Sequence, residues 1–267
     1  MSRWRKQPVP RDFPVHSERR VALVTGASSG IGRATAVALA AAGHPVAVCA
    51  RRVDRLQEVV EYIREAGGEA QSFAVDVTDQ KSVSSGVTNV EAALGEIEVL
   101  VNSAGSLRMG RLWEMTPDDF AAQVDVHLLA AHRLVAAVVP AMVERRRGDV
   151  VLIGSDTART ARPRSGAYPA AKSAIDTLAF QLQSELEGTG VRATVVRPGP
   201  VATEMGSDFD DETVIDVIGD WVKFGHGRHA RMCTPEQLAH GIVAAVGLTR
   251  GAYIRELEIQ PEAPIES

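Results

Sequence analysis

Short runs of apolar and β-branched residues recur along the chain, at 21–25, 45–50, 70–75, 97–101, 149–154, 191–196 and 252–259. Runs with few polar interruptions suit parallel strands covered on both faces. Between them lie amphipathic stretches such as 53–65, where Leu56, Val59, Val60 and Ile63 fall at helical spacing. Gly67 and Gly68 follow that stretch where a helix C-terminus favours glycine. Repeated strand–helix units with right-handed crossovers build a parallel sheet with helices on both sides. No linker-like shift in composition, internal repeat or low-complexity tract interrupts the alternation. The pattern therefore predicts a single α/β domain of the doubly wound kind over residues 19–261.

Composition narrows this picture mainly by exclusion. The 267 residues carry 29 basic and 34 acidic side chains, a formal net charge of −5, which disfavours a nucleic-acid partner. Hydrophobic residues at 45% and charged residues at 24% exclude global disorder. Cys49 and Cys233 make no disulfide framework and lack metal-ligand spacing. The longest uninterrupted apolar stretch, 134–143, contains Pro140 and is only about half a bilayer span. A soluble, cytoplasmic protein without a membrane span is expected, with a core built from aliphatic side chains. Residues 1–18 form a basic, proline-interrupted extension with no apolar segment of the secretory kind. Its expected state is a solvated arm, with residues 262–267 as a short tail.

Candidate chemistry begins at the first strand-to-helix turn, Thr25-Gly26-Ala27-Ser28-Ser29-Gly30-Ile31-Gly32. Glycines there let the backbone approach a pyrophosphate at a helix N-terminus. A site for an unphosphorylated nicotinamide dinucleotide places an acid after the second strand, to hold the ribose 2′-hydroxyl. This chain instead has Arg51 and Arg52 after Ala50. Two cations at a helix start oppose the macrodipole, and an anion such as the 2′-phosphate of NADP reverses that penalty. A solvated basic turn partly neutralised by Asp54 is the alternative. Asp76 and Val77 follow the third strand, where a carboxylate can accept from an adenine amino group. Asn102, Ser103, Ala104 and Gly105 close the fourth strand with small residues that leave room for a ring or ribose; turn and cap roles suit both segments equally.

Tyr168 and Lys172, four residues apart, project from one helical face. An ammonium beside a phenol favours the phenolate, which fits the phenol for acid–base work near neutral pH. Ser155, ending the fifth strand, can donate to the same substrate oxygen. With Arg197-Pro198-Gly199-Pro200-Val201-Ala202-Thr203, these motifs make the chain resemble the short-chain dehydrogenases/reductases, over 19–205 and more loosely over 233–261.

The resemblance implies a Rossmann-like fold with a seven-stranded parallel sheet, an NADP cofactor marked by Arg51, and hydride transfer between the nicotinamide and a carbonyl or alcohol carbon. In it Tyr168 gives or takes the hydroxyl proton and Ser155 orients the oxygen. Lys172 lowers the phenol pKa and binds the nicotinamide ribose. Pro198, Gly199 and Val201 border the nicotinamide, and Thr203 its carboxamide or the pyrophosphate. His127 stands where the family usually has an asparagine that holds a proton-relaying water. A neutral imidazole can keep that relay, whereas an imidazolium formed near pH 6.5 would oppose Lys172 and add a pH dependence; simple packing in the helix is the alternative.

Segment 204–232 lies where the family keeps its substrate lid, with Val214, Ile218, Trp221 and Val222 on one stripe. Met109, Leu112 and Trp113 are expected to join Trp221 in an apolar pocket for a lipophilic carbonyl or alcohol. Arg159, Arg162 and Arg164 admit an acidic substrate or are simply solvated. His226 and His229 lack a third ligand for a metal. Wide apolar arcs on helices 118–144 and 168–187, paired across a twofold axis in the family, imply a homodimer or homotetramer. The competing reading is a catalytically weakened NADP-binding sensor or scaffold on the same fold.

Overall fold

The computed structural model describes residues 19–206, 209–227 and 229–265. The extension expected over 1–18 lies outside the described residues, as do Ser207, Asp208, Arg228 and the last two residues of the tail. Seven strands form one sheet: β1 (Val21–Thr25), β2 (Val46–Ala50), β3 (Ala70–Ala74), β4 (Ile97–Asn102), β5 (Gly148–Ile153), β6 (Val191–Pro198) and β7 (Glu256–Ile259). Their order is β3-β2-β1-β4-β5-β6-β7, and every neighbouring pair is parallel. The helices are α1 (Gly30–Ala41), α2 (Val53–Glu65), α3 (Gln80–Leu94), α4 (Pro117–Val124), α5 (Ala130–Glu144), α6 (Tyr168–Glu185), α7 (Asp211–Lys223) and α8 (Pro235–Gly247).

Alternation along the strands divides the core into two layers. Leu23, Leu100 and Val150 meet Val83, Leu134 and Ile175 of α3, α5 and α6 on one face. Val24, Val48 and Val101 meet Leu39, Leu56 and Ile242 of α1, α2 and α8 on the other. Both faces are covered, which is why these strands lack polar alternation. The fold is Rossmann-like, as the sequence predicts.

Two departures have local causes. β7 begins at Glu256, not at 252, because side chains take the preceding carbonyls. Arg192 donates to Ala252 O (2.9 Å) and Thr194 to Ile254 O (2.6 Å), while Arg255 O already accepts from Val195 N of β6 (3.2 Å). The long helix Pro117–Glu144 contains a π-turn at Asp125–Leu129 between α4 and α5. It is long and apolar enough, by length and composition alone, to cross a membrane. Here its buried residues, including Leu134, Val138 and Met142, pack in the sheet-covering layer.

The chain leaves β1 towards β2 and β3, then returns to β4 on the opposite side. Ligand crevices in such sheets open at this switch, outside the carboxyl ends of the strands. Thr25 organises the spot: its hydroxyl donates to Asn102 Oδ1 (3.1 Å) and accepts from the amides of Ser103 (3.2 Å) and Ala104 (3.3 Å).

Candidate active site

The glycine turn joins β1 to α1 directly over the switch. Gly26 has φ +67°, and a Cβ there would lie 2.8 Å from the Ala104 backbone. A Cβ on Gly32 would overlap the Gly26 carbonyl, so the spacing of these glycines is dictated by the turn itself. Gly30 (φ +53°) faces the Thr203 side chain, 3.1 Å from where a Cβ would sit. Ser29 N-caps α1 without a side-chain hydrogen bond, and the first turn holds no acid. The amides of Gly30, Ile31 and Gly32 therefore begin a helix whose positive end lacks an internal anion, a fit for a pyrophosphate.

Arg51 and Arg52, expected to act as a pair, are used differently. Arg51 is exposed at the end of β2, close enough to Asp76 to help depress its carboxyl pKa; the larger cause is Thr78. Thr78 donates to Asp76 Oδ1 from its hydroxyl (2.7 Å) and its amide (2.9 Å). Arg52 lies back across the glycine turn, donating to Ser28 (2.9 Å) and Ser29 (2.8 Å) and pairing with Glu204 (3.3 Å). Arg55, one helical turn on, binds the same carboxylate at 2.5 Å. Ser28, Ser29, Gly30, Arg33, Arg55 and Glu204 thus line a polar cavity of about 450 Å³. Sequence reasoning missed Arg55 and Glu204, although the three-residue step from Arg52 was a usable signal. A carboxylate bound to these arginines competes with any phosphate for them. Glu204→Gln should tighten NADPH binding about two- to fivefold, the scale of exposed ion pairs, in a fluorescence titration.

The other candidate cofactor positions lie along the same edge of the sheet. Val77 is buried beneath Asp76, and its carbonyl accepts from Arg133 (3.3 Å). Pro198 ends β6, and the Gly199 amide donates to Ile259 O (2.8 Å). Val201 bridges Cys233: Ala202 N donates to Cys233 O (2.9 Å) and Cys233 N to Pro200 O (2.9 Å). Segment 204–232 is thereby pinned where it leaves and rejoins the sheet edge.

Ser155, Tyr168 and Lys172 gather at the end of β5. Ser155 starts a short 3-10 turn, accepting from Thr157 N (3.1 Å) and Oγ1 (2.9 Å) and donating to Asp156 (3.3 Å). Lys172 is 5% exposed, donates to Ile153 O (2.7 Å) and sits 5.5 Å from the Tyr168 ring centre. The expected lowering of the phenol pKa by this ammonium is not borne out. Burial pushes Tyr168 up to about 12, although the Ser155 hydroxyl pulls the other way. Burial also brings Lys172 down to about 8, against the pull of Asp176. The low-dielectric site thus favours the neutral form of both partners.

His127 occupies the π-turn and is 1% exposed. Its Nε2 donates to Ser106 O (2.7 Å), and its ring meets Tyr168 edge-on at 5.2 Å. Nδ1 is buried without a hydrogen-bond partner among the described residues. Gly105 is required here, since a Cβ would come within 2.5 Å of His127 Cε1. Burial, aided by the Lys172 charge, holds its pKa down to about 3. The titration near pH 6.5 expected from sequence is therefore corrected: the imidazole is neutral wherever the fold exists at ordinary pH. Because the unfolded ring binds a proton between pH 6.5 and 3 and the folded one does not, stability falls as pH drops through that window. His127→Asn should flatten this acid slope in denaturant unfolding, while leaving the shape of the pH–rate profile above pH 5 unchanged.

The substrate side differs from expectation in three ways. Val217, not the 214/218/221/222 stripe, is the buried residue of α7; Ile218 and Val222 are exposed. Trp221 donates to Pro163 O (2.8 Å) beneath the Arg162 guanidinium. The adjoining groove, about 1010 Å³, is lined instead by Leu112, Trp113, Phe120 and Phe224 with the 157–166 loop, without Met109 or Trp221. Arg162 and Arg164 are mostly buried and paired with Asp156 and Asp220, so they are not free for an acid; Arg159 stays exposed to solvent, as one of the two expectations had it, and pairs with Glu256.

Comparison with known proteins agrees with this geometry. The family model for short chain dehydrogenases matches residues 20–213. A short chain dehydrogenase of Pseudocercospora fijiensis is 40% identical over 204 residues, covering 75% of this chain and 66% of its own length. The 3-oxoacyl-acyl-carrier-protein reductase FabG of Escherichia coli is 33% identical, covering 73% of this chain and 79% of its own. An alcohol dehydrogenase from the archaeon Thermococcus sibiricus, solved with 5-hydroxy-NADP, superimposes with a TM-score of 0.79 at 28% identity, covering 93% of this chain and 100% of that one. The chain belongs to the short-chain dehydrogenase/reductase family of oxidoreductases.

Proposed function

We propose that this protein is an NADP(H)-dependent oxidoreductase acting on a small carbonyl compound or secondary alcohol, with residues 19–261 as its catalytic domain and 204–232 as its substrate lid. The observation that carries this reading is the meeting of Ser155, Tyr168 and buried Lys172 at the carboxyl edge of a sheet whose glycine turn opens a helix with no side-chain hydrogen bond at its N-cap. The fit to a dinucleotide rests on Gly26 and Gly32, where a Cβ would fill the cradle, and on exposed Arg51 where an NAD site has an acid. The solved relative with 5-hydroxy-NADP supports the choice of cofactor.

When bound, NADPH supplies hydride from its nicotinamide, and NADP accepts it in reverse. Gly26, Ser28, Ser29, Gly30, Ile31 and Gly32 would hold the pyrophosphate, and Arg51 with Arg52 the 2′-phosphate. Asp76 and Val77 would border the adenine, Asn102, Ala104 and Gly105 the ribose, and Pro198, Gly199, Val201 and Thr203 the nicotinamide end. Ser155 donates to the substrate oxygen, and Tyr168 delivers the proton that completes the alcohol. A phenol pushed up to about 12 is fully protonated at neutral pH, as a general acid for reduction must be. Lys172 steadies the developing phenolate; His127 orients the Tyr168 ring.

The apolar groove beside Thr157 and Pro169 favours a lipophilic carbonyl. Exposed Phe120 and Leu129 on the long helix favour a homodimer or homotetramer, which light scattering tests. A cytoplasmic location completes the reading and is tested by cell fractionation. A carbonyl and alcohol screen following reduced-cofactor absorbance decides between enzyme and sensor: turnover supports the enzyme, and cofactor binding without turnover across a broad panel supports the sensor. The complete Ser155, Tyr168 and Lys172 set favours the enzyme, because cofactor binding alone does not need all three.

A further inference from the structure

On the functional reading above, we propose that Arg162 is a positioning residue, coupling the seating of α7 to the Ser155–Tyr168 pair. Asp156 follows Ser155 directly and accepts from its hydroxyl at 3.3 Å. The other oxygen of Asp156 is paired with Arg162 and accepts more weakly from Gln260 (3.4 Å). The two charged side chains are only 14% and 12% exposed, so each depends on the other for compensation. On its opposite side the Arg162 guanidinium lies 5.2 Å over the Trp221 ring, which belongs to α7.

Residues 162–164 all grip that helix. Pro163 O accepts from Trp221, and Arg164 holds Asp220 (2.6 Å) and Asp216 (3.3 Å). Arg164 keeps the left-handed φ of +59° in doing so, and its carbonyl accepts from Gly110 (2.9 Å). Among the three, Arg162 alone also touches Asp156. The apolar side chains of α7 contribute little attachment: Ile215 and Val222 are 69% and 62% exposed, and Val217 is its buried residue. A helix held by a few polar contacts separates more easily than one with a buried face. With α7 seated, Arg162 compensates Asp156 and leaves it only a long 3.3 Å contact with the Ser155 hydroxyl, which a substrate oxygen can replace. With α7 lifted, the Asp156 carboxylate competes for that hydroxyl and opposes ionisation of the nearby phenol.

The groups facing Tyr168 are Asp156 and Arg162 from the loop, Ser155 from the end of β5, Lys172 on its own helix and neutral His127 from the π-turn. Asp156 holds the phenol proton on and Arg162 draws it off. In the oxidation direction, where phenolate is needed, Arg162→Met should move the pH–rate profile up by about one unit, a roughly tenfold loss at fixed pH on the rising limb. Arg162→Lys should restore most of it. Trp221→Ala should shift the profile the same way by a smaller amount, and Asp156→Asn should shift it down. The alkaline titration of the tyrosine, by absorbance against a Tyr168→Phe blank, should likewise fall to lower pH in Asp156→Asn. That titration needs no substrate, so it judges the pair even if no carbonyl is turned over. An unmoved titration in folded Asp156→Asn, or an unmoved pH profile in Trp221→Ala, would overturn the proposal.

Discussion

Tyr168→Phe should abolish turnover, lowering kcat about 10²- to 10⁴-fold, while NADPH still binds with near wild-type affinity. The phenylalanine keeps the ring that meets His127 edge-on and lies beside Lys172, so packing changes little. What is lost is one hydroxyl, the group that hands the proton to the substrate oxygen in the proposed reaction. The three ionisable groups around that oxygen have been tuned by burial rather than by mutual charge. With Tyr168 near 12, Lys172 near 8 and His127 near 3, the site at pH 7 holds a neutral phenol, a protonated amine and a neutral imidazole. That set suits proton donation to a carbonyl. Steady-state rates and a fluorescence titration of NADPH on the same sample check the prediction, and an equal fall in binding and rate would assign Tyr168 to cofactor binding instead.

Arg51→Glu should invert cofactor preference. A charge-assisted contact to phosphate contributes about 1.5–3 kcal/mol, or roughly 10- to 100-fold in affinity. Reversal of the charge adds repulsion of the 2′-phosphate and offers the ribose 2′-hydroxyl of NADH an acceptor. Arg51 is exposed, so the exchange leaves the core untouched and stability should hold. Arg52 is the poorer target, because it also ties Ser28 and Ser29 to Glu204, and its loss would disturb the turn. The ratio of kcat/KM with NADPH and NADH, for wild type and variant, measures the effect; an unchanged ratio would leave Arg51 a solvated surface residue.

The sheet was legible because each strand is a nearly unbroken aliphatic run and each helix carries a separate apolar stripe, as with Leu56, Val59, Val60 and Ile63 on α2. The start of β7 was not, since Arg192 and Thr194 reach the carbonyls of Ala252 and Ile254 from a strand far away in sequence. The glycine turn and the Tyr168–Lys172 pair could be read from local spacing because single turns set their geometry, whereas the grouping with Ser155 from the end of β5 came with the family resemblance. Glu204 against Arg55, and Asp156 against Arg162, are tertiary pairings of charges that look like solvated surface in the linear chain. His127 shows the same limit for electrostatics. Its position was visible, but the titration it was expected to show depends on a burial that only the folded π-turn creates.

The most direct test follows deuterium from the nicotinamide C4 of labelled NADPH during reaction with a panel of lipophilic ketones and aldehydes. The proposed chemistry predicts cofactor oxidation matched by alcohol formation, with the label on the former carbonyl carbon and both lost in Tyr168→Phe. Tight NADPH binding with no label transferred to any member of the panel would contradict it.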